Sequence, residues 1–422
     1  LSFGLADKII DGRLHVDQGS VAGCAGGTYE NICAVADILG ESGTGSGAFW
    51  LSAYPASQPI NLRLADTGVA GKLLRSGVTL HPAFCGPCFG AGDTPANGAL
   101  SIRHATRNFP HREGSKPSNG QVASVALMDA RSIAATALNK GRLTAATEVE
   151  YRPSAPDYVF DDHPYRARVY RGYGKADPNE ALRFGPYIAD WPAMPALPEN
   201  LLLVFAAVIR DPVTTTDEII PSGETSSFRS NPIKFAEFTF SRKVPGYVER
   251  AKRIRSLEDE RSKSCRREAL DGESRGRLDA IFRTIEQAGG NAESTGIGSA
   301  VFALKPGDGS AREQAASCQK VLGAWANVAI EYATKRYRSN LVNWGILPFI
   351  VDPESAHLFR EEQALYVPNI RSSLMNGAAE ISAFLVLESG IRPLTLRLPG
   401  MSEEERKVLL SGCLMNFYRD GV

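Results

Sequence analysis

The chain has 422 residues, 43% of them hydrophobic, enough for two or three domains with proper cores. Lysine plus arginine number 47, as do aspartate plus glutamate, so no overall field favours nucleic acid or an anionic membrane. The longest apolar run, LLLVFAAVI at 201–209, is about half of the ~20 residues a membrane-spanning helix requires, which predicts a soluble protein without a membrane partner.

The first residue is Leu1, and LSFGLADKIIDG lacks the basic start and long apolar stretch of a signal peptide, so the expectation is a chain that begins within a longer one. Residues 1–150 read as α/β. GTYENICAVADIL (27–39) has apolar residues at helical spacing, and AFWLSAYPAS (48–57) reads as a strand running into a turn. A helix over NLRLADTGVAGKLLRSG (61–77) and a short apolar segment, VTLHPAF (78–84), follow. This alternation predicts a parallel sheet whose strand ends present loops, where the active sites of open α/β sheets collect. Further on, SVALMDARSIAATALNKG (124–141) reads as a buried helix that Gly141 terminates.

From 145 onward prolines, aromatics and charges dominate without periodicity, which places a linker over 151–200. A second domain, 201–422, opens with the buried-strand run at 201–209. Within it the dense, mixed-sign charge of 249–277 predicts a solvated helix rather than a nucleic-acid patch. The chain contains no internal repeat.

Seven cysteines, an odd number scattered through a large chain, do not form a disulfide framework and point to a reducing compartment, the cytoplasm or alternatively the mitochondrial matrix. FCGPCFGAG (84–92) sets Cys85 and Cys88 three positions apart in a turn of glycine and proline. A redox pair, half a zinc site and part of an iron–sulfur site all fit those letters. Zinc would want four ligands, whereas Cys24, Cys33, Cys265, Cys318 and Cys413 stand alone and no histidine has a zinc-ligand spacing from the pair. A thioredoxin-like pair normally begins a helix, and this one runs on into loop chemistry. Around Cys24, in GSVAGCAGGTYEN, small residues let the backbone come close to something bulky, with amides available to cluster sulfurs. Three thiolates around a cubane [4Fe–4S] cluster would leave one iron open to substrate, as a Lewis acid.

GCAGGTYEN and CGPCFG resemble, in the same order, the segments G-S-C-T-N-S-x-Y-E-D and C-G-P-C-x-G of the aconitase and isopropylmalate isomerase superfamily of iron–sulfur hydro-lyases. The resemblance implies a [4Fe–4S] cluster on Cys24, Cys85 and Cys88. TRNFPHR (106–112) is similar to N-R-N-F-x-G-R, which implies substrate-binding Arg107 and Arg112. TTDEIIPSGETSSFR (215–229) resembles the opening of the family's swivelling domain and implies a catalytic Asp217 and a carboxylate-binding Arg229. GSAREQAA (309–316) is similar to G-S-S-R-E-H-A, implying a catalytic Ser310 and a substrate-binding Arg312; NLVNWGILPFI (340–350) looks like N-L-x-x-x-G-L-L-P-L. The implied fold is a parallel-sheet α/β domain carrying the cluster cysteines, followed by a swivelling β/α domain.

The implied activity is hydration and dehydration of a β-hydroxy di- or tricarboxylate. Four arginines suit the carboxylates through bidentate forks, and Ser310, close to a helix start whose amides would stabilise an alkoxide, suits a base. Ala25 and Gly26 replace the family's threonine and asparagine, Thr106 an asparagine, Ala311 a serine, and Glu218 the histidine of aconitases, which points away from citrate and isocitrate. In the family two further α/β domains precede the first cysteine segment and supply histidine, aspartate and glutamate. The expected partner is therefore that missing N-terminal half, in the same polypeptide or a separate chain, and the chain alone should be inactive. The alternative is a non-catalytic aconitase-like protein with a regulatory or RNA-binding role, which Ala25, Gly26 and Ala311 favour. Cys33, Cys265, Cys318 and Cys413 read as packing residues or free thiols, and GTGSG (43–47) as a flexible loop.

Overall fold

The computed structural model describes residues 5–420 except 46, 48, 90–91, 107–122, 182, 222–224, 267, 269 and 388–389. The chain divides into two compact units, Leu1–Glu180 and Ala181–Val422. That division falls inside the segment read from the sequence as a linker. Its beginning belongs to the first unit, where Tyr29 Oη donates to the Pro156 carbonyl (3.0 Å) and Arg63 Nη2 to that of Asp157 (2.8 Å). Its end belongs to the second, where Asn416 Nδ2 donates to the Met194 carbonyl (2.8 Å).

The first unit is built on a five-stranded sheet: β1 (Gln18–Val21), β2 (Trp50–Ala53), β3 (Thr79–Leu80), β4 (Leu100–His104) and β5 (Ser124–Leu127). The order across the sheet is β3-β2-β1-β4-β5, with every pair parallel. All four residues of β1 are buried, as a central strand covered on both faces requires. The helices around it include α1 (Gly23–Gly26), α2 (Tyr29–Leu39), α3 (Gln58–Asp66), α4 (Val69–Arg75) and α5 (Ala130–Leu138). Thr28 caps α2, its Oγ1 accepting from the Asn31 amide (3.4 Å), and Ile32, Val35, Ala36 and Leu39 form the buried stripe. They pack with Leu51, Leu64, Leu73, Ile102 and Ile133 in one core.

Two sequence expectations need correction here. The single helix over 61–77 is two helices, because Gly68 at φ +74° takes the left-handed conformation and the chain turns between α3 and α4. The buried helix over 124–141 begins as strand β5, and α5 starts only after Asp129. A four-residue apolar run cannot be told from a helix by periodicity. Gly141, at φ +91°, closes the segment in the left-handed conformation.

In the second unit seven strands close a barrel: β6 (Asn200–Ile209), β7 (Thr295–Ala303), β8 (Ala324–Ala329), β9 (Leu347–Ile350), β10 (Ala364–Val367), β11 (Glu380–Leu387) and β12 (Gly390–Arg397). Around it they run β7-β8-β9-β12-β11-β10-β6. β6 to β9 pair in parallel, and β12, β11 and β10 complete the ring by antiparallel pairing. Along β6 the side chains alternate between two cores, Leu201, Leu203 and Phe205 entering one and Leu202 and Ala206 the other. Its helices include α6 (Thr216–Ile219), α7 (Tyr247–Cys265), α8 (Gly272–Ile285), α9 (Arg312–Val321) and α10 (Lys335–Asn343). The charged stretch expected as one solvated helix is α7 and the first part of α8. α7 buries Tyr247, Ala251 and Ile254 along one face and turns its charges outward.

The start of α5 offers a test. Asp129 Oδ1 accepts from the amides of Arg131 (2.9 Å) and Ser132 (3.0 Å). Burial pushes its carboxyl up, but hydrogen bonds from Ser132 and the Arg131 amide outweigh that and hold it below the ordinary value. A carboxyl so depressed stabilises the fold above its unfolded pKa, and the contribution is lost as the pH falls through the folded value. Asp129→Ala should cost about 1 kcal/mol at neutral pH. In urea unfolding that deficit should shrink below about pH 4, as the native carboxylate protonates. A deficit independent of pH contradicts the capping role.

Candidate functional site

The chain leaves β1 toward β2 and β3 on one side and leaves β4 toward β5 on the other, so the topological switch point lies between β1 and β4. Ligands of open α/β sheets bind in the crevice outside such a point. Cys24 stands there, on α1 directly after β1, while Cys85 and Cys88 follow β3 and Thr106 follows β4. α1 is drawn onto the strand ends by backbone bonds: the Ala22 amide donates to the His104 carbonyl (3.0 Å) and the Tyr54 amide to that of Val21 (2.9 Å). A Cβ on Gly26 would stand 2.0 Å from the His104 carbonyl oxygen, and one on Gly27 2.0 Å from that of Tyr54. The clearance read from the sequence as room for a bulky group is, at these two positions, filled by strand-end carbonyls.

The same closeness brings the two cysteine segments together. Gly23, at φ +65°, faces the backbone of Cys85, whose Cα and carbonyl oxygen both lie 3.6 Å from the position of a Cβ. Cys24 and Cys85 are exposed and Cys88 is half-buried. Cys24 Sγ lies 3.1 Å from Thr106 Oγ1, so the residue that replaces the family's asparagine touches this sulfur. Cys88 sits in a single turn, Gly86–Phe89, with Gly86 at φ +55° against the ring of Tyr54. That ring stacks on His81 at 4.2 Å, and burial raises the pKa of its phenol.

A buried polar network that sequence reasoning missed lies beside the Cys88 turn. The Asp93 side chain is 2% exposed and accepts from Ser52 Oγ (3.0 Å) and Ser20 Oγ (3.5 Å). Arg103, also 2% exposed, donates to the Asp93 carbonyl (3.2 Å) and to Ser101 Oγ (3.1 Å). Burial pulls its guanidinium down to about 10, against the opposing pull of Asp93, Tyr54 and Cys88. Arg103 is therefore a cation at neutral pH within electrostatic reach of Cys88. An arginine inside the apolar strand ALSIRHA was the signal available, since arginine is almost never fully buried without a partner.

In the second unit the two implied catalytic segments lie side by side. Thr214–Thr215 pairs in parallel with Pro306–Asp308, and Gly309, at φ +123°, backs onto Thr216 Oγ1, 2.3 Å from the position of a Cβ. Asp217, in the first turn of α6, and Ser310 thus each follow one of the two paired strands. Asp217 is half-buried, with Arg242 Nη1 4.0 Å away. Ser310 and Arg229 are exposed, while Arg312 Nη1 donates to the Gly309 carbonyl (2.7 Å) at the start of α9. The cap position of α9 is Ala311. Glu218 accepts from the Thr215 amide (2.7 Å) and from Lys243 Nζ (3.0 Å), a helix-start role.

Arg107 and Arg112 lie outside the described residues. Of the other cysteines, Cys33, Cys318 and Cys413 are buried and Cys265 is exposed. Among the described residues no helix is long and apolar enough to cross a membrane.

Gly26→Ala tests the close approach of α1. The added methyl meets backbone that cannot rotate away, so the variant should lose about 1–3 kcal/mol in urea unfolding. Its Cys24 should also react faster with a thiol reagent, as α1 lifts from the strand ends. Unchanged stability and reactivity would contradict the packing described.

Residues 4–135 match the family model described as aconitase family (aconitate hydratase). Over 136 residues the chain is 31% identical to the 3-isopropylmalate dehydratase large subunit of Methanoregula boonei, covering 32% of this chain and 31% of that one. Over 143 residues it is 30% identical to the mitochondrial homoaconitase of Eremothecium gossypii, covering 32% of this chain and 20% of that one. The chain spans 31% or less of the length of these relatives. A crystal structure of 3-isopropylmalate dehydratase (leuD) from Methanocaldococcus jannaschii is similar to 52% of this chain over 94% of its own length, with a TM-score of 0.31 and 19% identity, too slight a likeness to carry an argument. The likeness thus covers residues 4–135, which hold both cysteine segments, and is to the aconitase family, a 3-isopropylmalate dehydratase large subunit and a homoaconitase.

Proposed function

We propose that this chain is the cluster-binding and swivelling part of an iron–sulfur hydro-lyase that acts on a β-hydroxy di- or tricarboxylate. One observation carries the reading: the backbone of Cys85 lies against Gly23, beside Cys24, at the switch point of a parallel sheet. Three thiols are the soft donors an iron–sulfur cluster takes, and the buried Arg103 supplies positive charge near Cys88 to offset the negative charge of thiolate ligands. Cys24, Cys85 and Cys88 would hold a [4Fe–4S] cluster. When bound, the cluster supplies an open Lewis-acid position for the hydroxyl that leaves or enters.

The remaining roles fall to the chain's own side chains. Ser310, exposed between Gly309 and α9, takes the proton next to the substrate carboxylate, and Asp217 of α6 completes the catalytic pair. Arg107, Arg112, Arg229 and Arg312 bind the carboxylates, for which the guanidinium fork is the matching donor. The acids that protonate the departing hydroxyl come from the N-terminal half of such a protein, in the same polypeptide or a partner chain. Without them the chain turns over no substrate. The relatives are named as a dehydratase subunit and a homoaconitase, which supports the enzymatic reading over a non-catalytic or RNA-binding one.

Anaerobic reconstitution of the full 422-residue chain with iron and sulfide tests this. About three to four irons per chain are expected, with a three-iron paramagnetic signal after mild oxidation that disappears on adding ferrous ion. Cys24→Ser should lose the signal. A chain that takes up no iron overturns the proposal.

A further inference from the structure

Within the second unit, a cavity of about 240 Å³ is lined by Pro195, Arg255, Glu258, Lys320 and Trp325. Lys320, at the end of α9, is 5% exposed. Its amine donates to the Gly345 carbonyl (3.2 Å) and lies 3.6 Å from the centroid of the Trp325 ring. Among the described residues these are its partners, and no carboxylate pairs with it. Glu258, on the same wall, is already held by Arg261 (2.6 and 2.7 Å) and by the Ile297 amide (2.7 Å).

A lysine withdrawn from water without a counter-ion is driven toward its neutral form, and a neutral amine beside a cavity is a nucleophile. Burial brings Lys320 down to about 7, with Cys413 acting in the opposite direction. The charged and titratable groups around it are Arg255, Glu258 and Asp259 of α7, together with Cys413. Arg255 donates to the Val321 carbonyl (2.7 Å), which fixes a cation on the cavity wall.

We propose that Lys320 captures a small carbonyl compound, an aldehyde or a 2-oxo acid, as an imine in this cavity. The Nζ lone pair attacks the carbonyl carbon while the C=O electron pair moves to oxygen. The two amine protons then leave with that oxygen as water, and a C=N bond replaces the C=O bond. No oxidant or reductant takes part. The cavity lies wholly in the second unit, so the proposal stands apart from the cysteine chemistry.

The test treats the full chain at about pH 7 with cyanoborohydride and either glycolaldehyde or pyruvate, and reads each lysine by peptide mass spectrometry. Lys320 should be alkylated about tenfold or more faster than Lys252 and Lys407, whose amines are exposed and ion-paired. Faster reaction with pyruvate identifies a 2-oxo acid site in which Arg255 serves the carboxylate; faster reaction with glycolaldehyde identifies an aldehyde site. Lys320→Arg, checked for its native circular dichroism, should lose the fast label and leave the slow ones unchanged. A Lys320 in the native chain that reacts no faster than Lys252 overturns the proposal.

Discussion

The cysteine site depends on one close approach, that of α1 to the carbonyl of His104 at the end of β4. The carbonyl accepts from the Ala22 amide and occupies the space a side chain at position 26 would need. Ordinary residues at 26 and 27 would lift α1 off the sheet, and Cys24 with it. The departure from the family's residues at Gly26 thus has a local cause, since a larger residue has no room with the backbone so placed. Ala25 has a different position: its carbonyl accepts from Asn31 Nδ2 (3.2 Å), which ties α1 to the first turn of α2.

Once α1 is seated, the remaining parts follow from what it touches. Gly23 lies against Cys85, and the turn carrying Cys88 rests on Tyr54. Tyr54 is the first residue after β2, so the loop is referred back to the sheet rather than to other loops. The Asp93 and Arg103 network then fixes the chain that follows the turn. The second unit uses a related device: Gly309 is pressed against Thr216, and a short parallel ribbon holds the start of α6, with Asp217, in register with the segment that leads to Ser310.

Elements with a strong periodic or compositional signal were legible in the sequence. The apolar run at 201–209 is β6, and the 3.6-residue stripe of α2 matches its buried face. Gly68 was not legible as a break, because an isolated glycine is tolerated within a helical pattern. Closure of the barrel was not legible either, since β6 pairs with β7 and β10, strands far along the chain. In the site, the cysteine segments stood out as motifs. The neighbours that position them, Tyr54, His81, Asp93 and Arg103, come from four separated stretches that only the folded sheet assembles. The ribbon that joins Asp217 to Ser310 is too short to leave a period-two pattern.

The most direct measurement of whether Cys24, Cys85 and Cys88 form one metal centre is iron K-edge X-ray absorption on the anaerobically reconstituted full chain. Iron bound there should show sulfur neighbours and a short iron–iron vector, both lost in Cys85→Ser. Among the described residues Asp161, Asp162 and His163 also bring three ligand atoms within 4.8 Å of one another. Oxygen and nitrogen neighbours without an iron–iron vector, as iron held by that exposed group would give, would contradict a cluster on the three cysteines.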